Sequence, residues 1–448
     1  MTTALASSRR QRHDEGAPAS DALLDDIQRA TFDYFLQETN PRNGLVVDST
    51  HPDSPASIAA VGFALAAYPI AVERGWMTRT AALDVTLATL RFFHEAPQDG
   101  ARDGVGYHGF YYHFLHMETG RRAWRSELST IDTTFLLAGA LAAAEYFDGK
   151  GEEAEVPRLA DALYRRAEWK WALDGGSTVR MAWKPERGFL RARWQGYNEA
   201  ILLYALALGS PTHPIPPESY DAYTSTYRWK KIYDTEYLYA GPLFIHQFSH
   251  LWIDFRGVPD AYMREHGMDY FENSRRATHV QREYAIRNPR GFGGYGPDEW
   301  GLTASDGPGP AVRQVNGEQR RFWGYRARGV PFGPDDGTLS PWAAIASLPF
   351  APDVVLACIQ HVADRYPREA RYGFENSFNP TFPGGGAELG WISPHHYALN
   401  EGPIVLAVEN YRSGQLWRLM RGCQPLRDGL RRAGFTGGWL GGTAQRGS

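Results

Sequence analysis

Two kinds of apolar pattern alternate along this chain. In one, hydrophobic residues fall on a single face at helical spacing, as at 22–36, 79–93, 156–173, 218–230, 261–286 and 352–366. In the other, at 57–73, 128–146, 197–208, 239–253, 340–348 and 401–408, nearly every position is apolar. A helix apolar on all sides must be buried, whereas one with a polar face borders solvent. Six buried helices, each with an outer companion, predict an all-α double ring, the (α/α)6 barrel. The connections entering the inner helices run to roughly 15–50 residues, against a usual loop of about 4–6. Connections leaving them are mostly short. If the inner helices run parallel, the long loops gather at one mouth, and long loops on a rigid scaffold carry function.

No low-complexity linker divides the 448 residues, so a single domain over 21–440 is expected, preceded by a disordered tail at 1–20. That tail has no apolar run long enough for a signal-peptide core, and no stretch reads as a membrane span. A cytoplasmic address and a monomer or weak homo-oligomer are expected by default. A core of this size needs no staple, and Cys358 and Cys423 read as two buried thiols rather than a bridge. The net charge of −4 shows no basic bias towards nucleic acid. Composition adds one positive sign. Aromatics make up 13% of the chain, and many sit in the long loops beside Gly and acids, as in Gly106-Tyr-His-Gly-Phe-Tyr-Tyr-His113. Flat apolar faces beside carboxylates suit carbohydrate. Tyr107, Tyr112, His113, Trp194, Tyr197, His246, Trp300 and Trp391 are therefore expected to form a sugar platform.

The acids at the mouth carry the chemistry. Ser129 and Asp132 fit a capping box at the second inner helix, with catalysis as the alternative role for Asp132. Glu127, just before that cap, is read either as a loop ion pair with Arg122 or Arg125 or as a catalytic acid. At the third inner helix Asn198 is a natural N-cap, which puts Glu199 in the first turn. The segment that follows leaves little solvent on any side, so a carboxylate there is paired or functional. Glu401 heads the sixth. Asp234, Asp298, Glu299, Asp306, Glu375 and Glu388 read as sugar-hydroxyl acceptors or loop fasteners. Several acids converging on one mouth are what glycoside hydrolysis by paired carboxylates requires.

Other chemistries fit less well. His246 and His250 have the i, i+4 spacing of metal ligands but no third ligand motif, so sugar-binding or core roles are favoured. The Gly-rich runs at 291–296 and 384–386 lack the context of phosphate loops, and no serine-hydrolase elbow is visible. No cofactor or metal is expected.

Several long motifs resemble the glucoamylase-like family. Among them are Gly62-Phe-Ala-Leu-Ala-Ala67, Ser126-Glu-Leu-Ser-Thr-Ile-Asp132, Gly196-Tyr-Asn-Glu199, Leu251-Trp-Ile-Asp-Phe-Arg-Gly257 and Trp300-Gly-Leu-Thr-Ala-Ser-Asp306. The family includes bacterial endo-β-1,2-glucanases and the glucanase-like domain of cyclic β-1,2-glucan synthases. The resemblance implies an (α/α)6 barrel and a metal-independent hydrolase of β-1,2-glucan or its oligosaccharides; Asp132, Asp254, Asp306, Glu375 and Asn400 are expected to join the aromatic residues in binding the substrate. It puts the general acid on Glu199 and a second acidic position on Glu127. One departure stands out: where the family's sixth inner helix begins Asp-Gln-Gly-Pro, this chain has Asn400-Glu-Gly-Pro403. Asn takes no proton, so Glu401 or Glu127 is left as the base. An Arg-rich insertion at 314–333 is expected to reshape one end of the cleft. Exo-action, transglycosylation, glycan binding without cleavage, and a lyase reaction are the competing readings.

Overall fold

A computed structural model describes residues 17–366, 368, 369, 371–383 and 389–441. It is built on helices α1 (Ala17–Gln37), α2 (Ile58–Glu73), α3 (Arg79–Glu95), α4 (Thr130–Tyr146), α5 (Glu155–Arg166), α6 (Trp169–Ala172), α7 (Ile201–Gly209) and α8 (Glu218–Thr224). After these come α9 (Phe248–Trp252), α10 (Ala261–Glu265), α11 (Tyr270–Arg287), α12 (Pro341–Ile345), α13 (Pro352–Arg365), α14 (Ala398–Arg412), α15 (Gln415–Gly422) and α16 (Gln424–Arg432). The apolar stretches become the buried helices: α2 is buried from Ile58 to Ala71, α4 from Thr130 to Ala143, and α7 throughout. α2 packs on α4 and α14, α4 on α7, and α14 on α9 and α12. Amphipathic α1, α3, α5 and α13 lie outside them.

Glycine sets the closest crossing. A Cβ on Gly62 of α2 would stand 2.2 Å from the Phe135 carbonyl oxygen, and one on Gly139 of α4 would stand 2.1 Å from the Gly62 oxygen. The two backbones therefore touch, and no larger residue fits either position. Helices α2 and α14 run the same way: their C-terminal ends are joined by Arg74 Nε to Glu409 at 2.8 Å. Their N-terminal ends are tied by the loops that enter them. Ser57 pairs with Phe114, Tyr112 with Leu128, and Ser49 with Tyr397. The Ile58 amide donates to the His113 carbonyl at 3.2 Å. The loops entering α2, α4 and α14 are thus one hydrogen-bonded unit, which is what holds their side chains in a common site.

Several sequence expectations need correction. The fourth apolar stretch is broken by Gly241-Pro242 and yields a 3-10 turn, Leu243–His246, followed by the short α9. The amphipathic stretch at 218–230 leaves the helix after Thr224. Its last two residues open the strand Trp229–Ile232, which pairs with Thr235–Leu238, as its aromatic and β-branched residues prefer. The 261–286 stretch divides at Gly267, and Asp269 caps the second half by accepting from the Glu272 amide at 2.8 Å. Helix α1 reaches back to Ala17, into the predicted tail, whose residues 1–16 lie outside the described residues. The long loops are not featureless: Gly106–Tyr107, Phe110–Tyr112, Leu128–Ser129, Ala182–Lys184 and Gly188–Phe189 form a five-stranded antiparallel sheet. Finally, α15 and α16, which meet at Cys423, stand outside the six expected helix pairs. Helix α16 packs on α7 so closely that a Cβ on Gly429 would lie 1.7 Å from the Ala205 oxygen. Among the described residues no helix is long and apolar enough to cross a membrane.

The Gly62 crossing yields a stability prediction. Gly62→Ala forces a methyl into a backbone contact, and overpacking of this kind typically costs about 1–3 kcal/mol. Chemical denaturation should show a loss in that range or more, and an unchanged midpoint would contradict the packing described.

Candidate active site

The loops entering α2, α4 and α14 enclose a cavity of about 500 Å³, lined among others by Asp48, His113, Trp124, Tyr325, Tyr397 and Asn400. Trp124 and Tyr325 are open to solvent, at 64% and 55% exposure, so the cavity has two bare aromatic faces at its rim. Tyr325 belongs to the Arg-rich insertion, which folds as the hairpin Ala311–Val315 with Glu318–Phe322. Its return is locked by Arg328, whose Nε donates to Asp336 at 2.7 Å in a fully buried pair.

His113 is the electrostatic centre. Its Nδ1 lies 3.0 Å from Glu127 Oε1 and its Nε2 lies 3.6 Å from Asp132 Oδ2. Burial opposes an imidazolium there, but the Asp132, Glu127 and Asp48 carboxylates outweigh it and lift the pKa to about 9. The ring is therefore cationic at neutral pH. In return its hydrogen bond holds Glu127 at about 2, against the desolvation of that carboxyl and with help from Lys184. Lys184 Nζ lies 3.8 Å away. Glu127 pairs with neither Arg122 nor Arg125, since Arg122 binds Glu186 at 2.7 Å. Asp132 sits in the first turn of α4 as predicted. Ser129 Oγ accepts from the Asp132 amide at 3.3 Å and donates to its carboxylate at 2.5 Å.

Glu199 lies in the turn before α7 rather than in its first turn, because the helix starts only at Ile201. Asn198 shapes that turn: its side-chain oxygen accepts from the Ala200 amide at 3.0 Å, and Ser249 Oγ donates to the Glu199 carbonyl at 2.8 Å. Desolvation, opposed by a backbone hydrogen bond and assisted by the Asp132 charge, raises the Glu199 carboxyl to about 7. Asp48 behaves similarly. Desolvation raises it to about 6, with His113 lowering it and Asp132 raising it. Asp132 thus acts on both acids, although Glu199 is not among the residues lining the 500 Å³ cavity. An acid protonated near neutrality beside ionised carboxylates is the arrangement that separates proton donor from proton acceptor.

Of Glu127, Glu199 and Glu401, expected to share one pocket, none is among the residues lining this cavity, and the most deeply buried is Glu401. That side chain is 1% exposed and bound by His396, whose Nδ1 lies 2.9 Å from it. His396 Nε2 also stands 3.5 Å from Glu375. Asn400, one residue earlier on α14, faces the cavity instead and donates to Asn376. Several platform candidates prove structural. His246 is buried against Tyr197 and the Ala240 carbonyl, and desolvation lowers it to about 4. Tyr112 is buried with its hydroxyl donating to the Ala101 carbonyl, Trp194 is buried with its Nε1 donating to Thr130, and Trp300 is a core residue. Tyr107 packs on Trp183 and Trp171, with ring centroids 5.0 and 5.6 Å apart. Asp254 follows the C-terminal end of α9 and is buried in ion pairs with Arg256 and Arg421, so it fastens the fold.

The remaining acids divide between site and scaffold. Asp306 accepts from Ser393 at 3.3 Å, and its charge reaches Tyr325 and Tyr397 of the cavity wall. Tyr197 and Trp391 are partly exposed without lining the cavity. Glu299 is a buried fastener for His361 and Tyr366. Asp234 is a surface residue, and Glu388 lies outside the described residues. Sequence reasoning missed Asp48, Trp124, Tyr325 and Tyr397. Asp48 was findable: it is an acid in the loop entering the first inner helix, as Glu127 is for the second.

The His113 cluster has a pH signature. A histidine raised from 6.5 to about 9 contributes stability that is full below its unfolded pKa and lost as pH rises through about 9. His113→Gln should remove that loss from the pH-dependent melting curve. An identical decline towards pH 9 in the variant would contradict the charged cluster.

Comparison with known proteins points in one direction. Residues 191–424 match the family described as "Putative glucoamylase". A curated relative from Parabacteroides distasonis, an exo β-1,2-glucooligosaccharide sophorohydrolase acting at the non-reducing end, is 28% identical over 92% of this chain. The chain spans only 57% of that relative's length. The endo-β-1,2-glucanase of Chitinophaga pinensis, solved with sophorotriose and glucose, is 28% identical with a TM-score of 0.82, over 94% of this chain and 99% of its own. A crystal structure from Bacteroides uniformis bearing the same glucoamylase description is 30% identical with a TM-score of 0.82, over 94% and 98%.

Proposed function

The chain belongs to the glucoamylase-like family, and from its acids we propose that it is a glycoside hydrolase cleaving β-1,2-glucan or its oligosaccharides. The observation that carries this reading is Glu199, a desolvated carboxyl raised to about 7 in the electrostatic field of Asp132. Such a group keeps a substantial protonated fraction at neutral pH and delivers its proton to the bridging oxygen as the anomeric C–O bond breaks. An ionised carboxylate takes the proton of the attacking water, and the net reaction is hydrolysis. On this reading the six apolar segments form the inner ring of an (α/α)6 toroid, a single catalytic domain over 21–440, and water attacks with inversion. Trp124 and Tyr325 supply stacking faces for glucosyl rings, and Asp306, Glu375 and Asn400 supply polar partners near the wall. The named activities of the Parabacteroides and Chitinophaga relatives support β-1,2 linkage as the substrate class. Those two activities, exo and endo, also keep a second reading open: release of disaccharides from a chain end. Product sizes from a long linear β-1,2-glucan separate the two.

Two outcomes are expected. Glu199→Gln keeps size and hydrogen bonding but carries no acidic proton, so kcat on linear β-1,2-glucan should fall about 10²–10⁴-fold, the usual worth of acid catalysis. Near-normal reducing-end release by the variant would remove Glu199 from the mechanism. Trp124→Ala combined with Tyr325→Ala should raise KM more than it lowers kcat, as loss of uniform binding does. Unchanged kinetics would detach these rings from the substrate.

A further inference from the structure

Asp48 has the environment of a working group rather than a fastener. Its backbone is fully committed: the Asp48 amide donates to the Pro55 carbonyl at 2.8 Å, and its own carbonyl accepts from the Ala398 amide at 2.9 Å. On either side the strand is held by Val47 pairing with Ala56 and by Ser49 pairing with Tyr397. From behind, the Tyr34 hydroxyl of α1 donates to the Val47 carbonyl at 3.0 Å. The carboxylate, in contrast, lines the 500 Å³ cavity and has neither a hydrogen bond nor an ion pair among the described residues. A desolvated acid left unpaired by a backbone this well fixed is costly unless it has something to do.

The other acids are occupied or misplaced. Glu127 is bound to His113 and held at about 2, which makes it a poor proton acceptor. Glu401 is fully buried and bound to His396. Position 400, which does face the cavity, is an asparagine and takes no proton. Asp48 lines the same cavity as Asn400, on the strand that pairs with the lead-in to α14.

We propose that Asp48 is the general base of this hydrolase. This assignment rests on the hydrolytic reading above. The Asp48 carboxylate takes one proton from a water molecule as that water's oxygen bonds to the anomeric carbon. Glu199 gives its proton to the departing sugar oxygen as the C–O bond breaks. The cycle leaves Asp48 protonated and Glu199 ionised, and exchange with solvent resets both. The groups whose charges face Asp48 are His113 from the loop before α4, Asp132 of α4, Tyr34 of α1, Tyr325 of the insertion and Tyr397 before α14. Of these, His113 lowers the Asp48 carboxyl and Asp132 raises it. Turnover then requires Asp48 ionised, above about 6, and Glu199 protonated, below about 7.

The test compares wild type and Asp48→Asn on a β-1,2-linked gluco-oligosaccharide, with and without sodium azide, across the pH range. The expected result is a kcat lower by about 10²–10⁴-fold with KM little changed, loss of the acidic limb of the pH profile, and partial rescue by azide as an α-glucosyl azide. Near wild-type turnover by Asp48→Asn overturns the assignment and leaves the hydrolase reading standing. So does a slow variant that keeps the acidic limb and forms no azide adduct, since a structural role gives that pattern. A wild-type protein that releases no product from any β-1,2-linked substrate overturns both.

Discussion

One imidazole shared among carboxylates holds this site together. His113 touches Glu127 and Asp132 directly and acts on Asp48 through charge. Three carboxylates brought to one mouth without a cation would repel one another, and desolvation would favour their protonation. A histidine lifted to about 9 prevents this for its direct partner Glu127, which stays ionised. It leaves Glu199 outside its hydrogen-bonding reach, where burial and the Asp132 charge keep that carboxyl near 7. Carboxyls of the same chemistry thus differ by their place relative to one ring: Glu127 beside it is ionised, and Glu199 away from it is raised towards neutrality.

That ring is placed by the packing beneath it. The backbone contact of Gly62 with Gly139 brings α2 and α4 together at their axes, and the N-terminal ends of both helices are then close enough for their entering loops to pair. The His113 amide donates to the Glu127 carbonyl at 2.8 Å, and the His113 carbonyl accepts from Ile58 at the start of α2. The Arg74–Glu409 pair fixes α14 parallel to α2 at the other end, so its entering loop meets the same unit through Ser49 and Tyr397. A hydrophobic core that tolerates no extra methyl therefore carries a polar site that depends on small angular differences.

The helical frame was legible because burial on all sides leaves a plain mark: α2, α4 and α7 are apolar at nearly every position. Breaks such as Gly241-Pro242 and Gly267 moved boundaries, and the strand at Trp229–Ile232 won over a helical pattern through its pairing partner. The site was legible only in part. Glu127, Asp132 and Glu199 sit where acids entering buried helices should. Glu401 carries the same sequence signature, yet the rotation of α14 turns Asn400 to the cavity and Glu401 to His396, and a one-residue difference of helical phase cannot be read from spacing. Aromatic residues near acids were a weak guide for a similar reason. Tyr112, Trp194 and Trp300 are needed by the core, while Trp124 and Tyr325 owe their exposure to loop conformations that no periodicity encodes.

The central claim is that the protein cleaves a β-1,2-glucosidic bond by direct attack of water between an acid and a base on opposite faces of the sugar. The configuration of the first product reports on this directly. Proton NMR of a β-1,2-linked gluco-oligosaccharide, followed from the first minutes after wild-type protein is added, should show the new anomeric proton appear in the α form and only later equilibrate. A β-configured first product would mean a covalent intermediate and contradict the account, as would an oligosaccharide left intact.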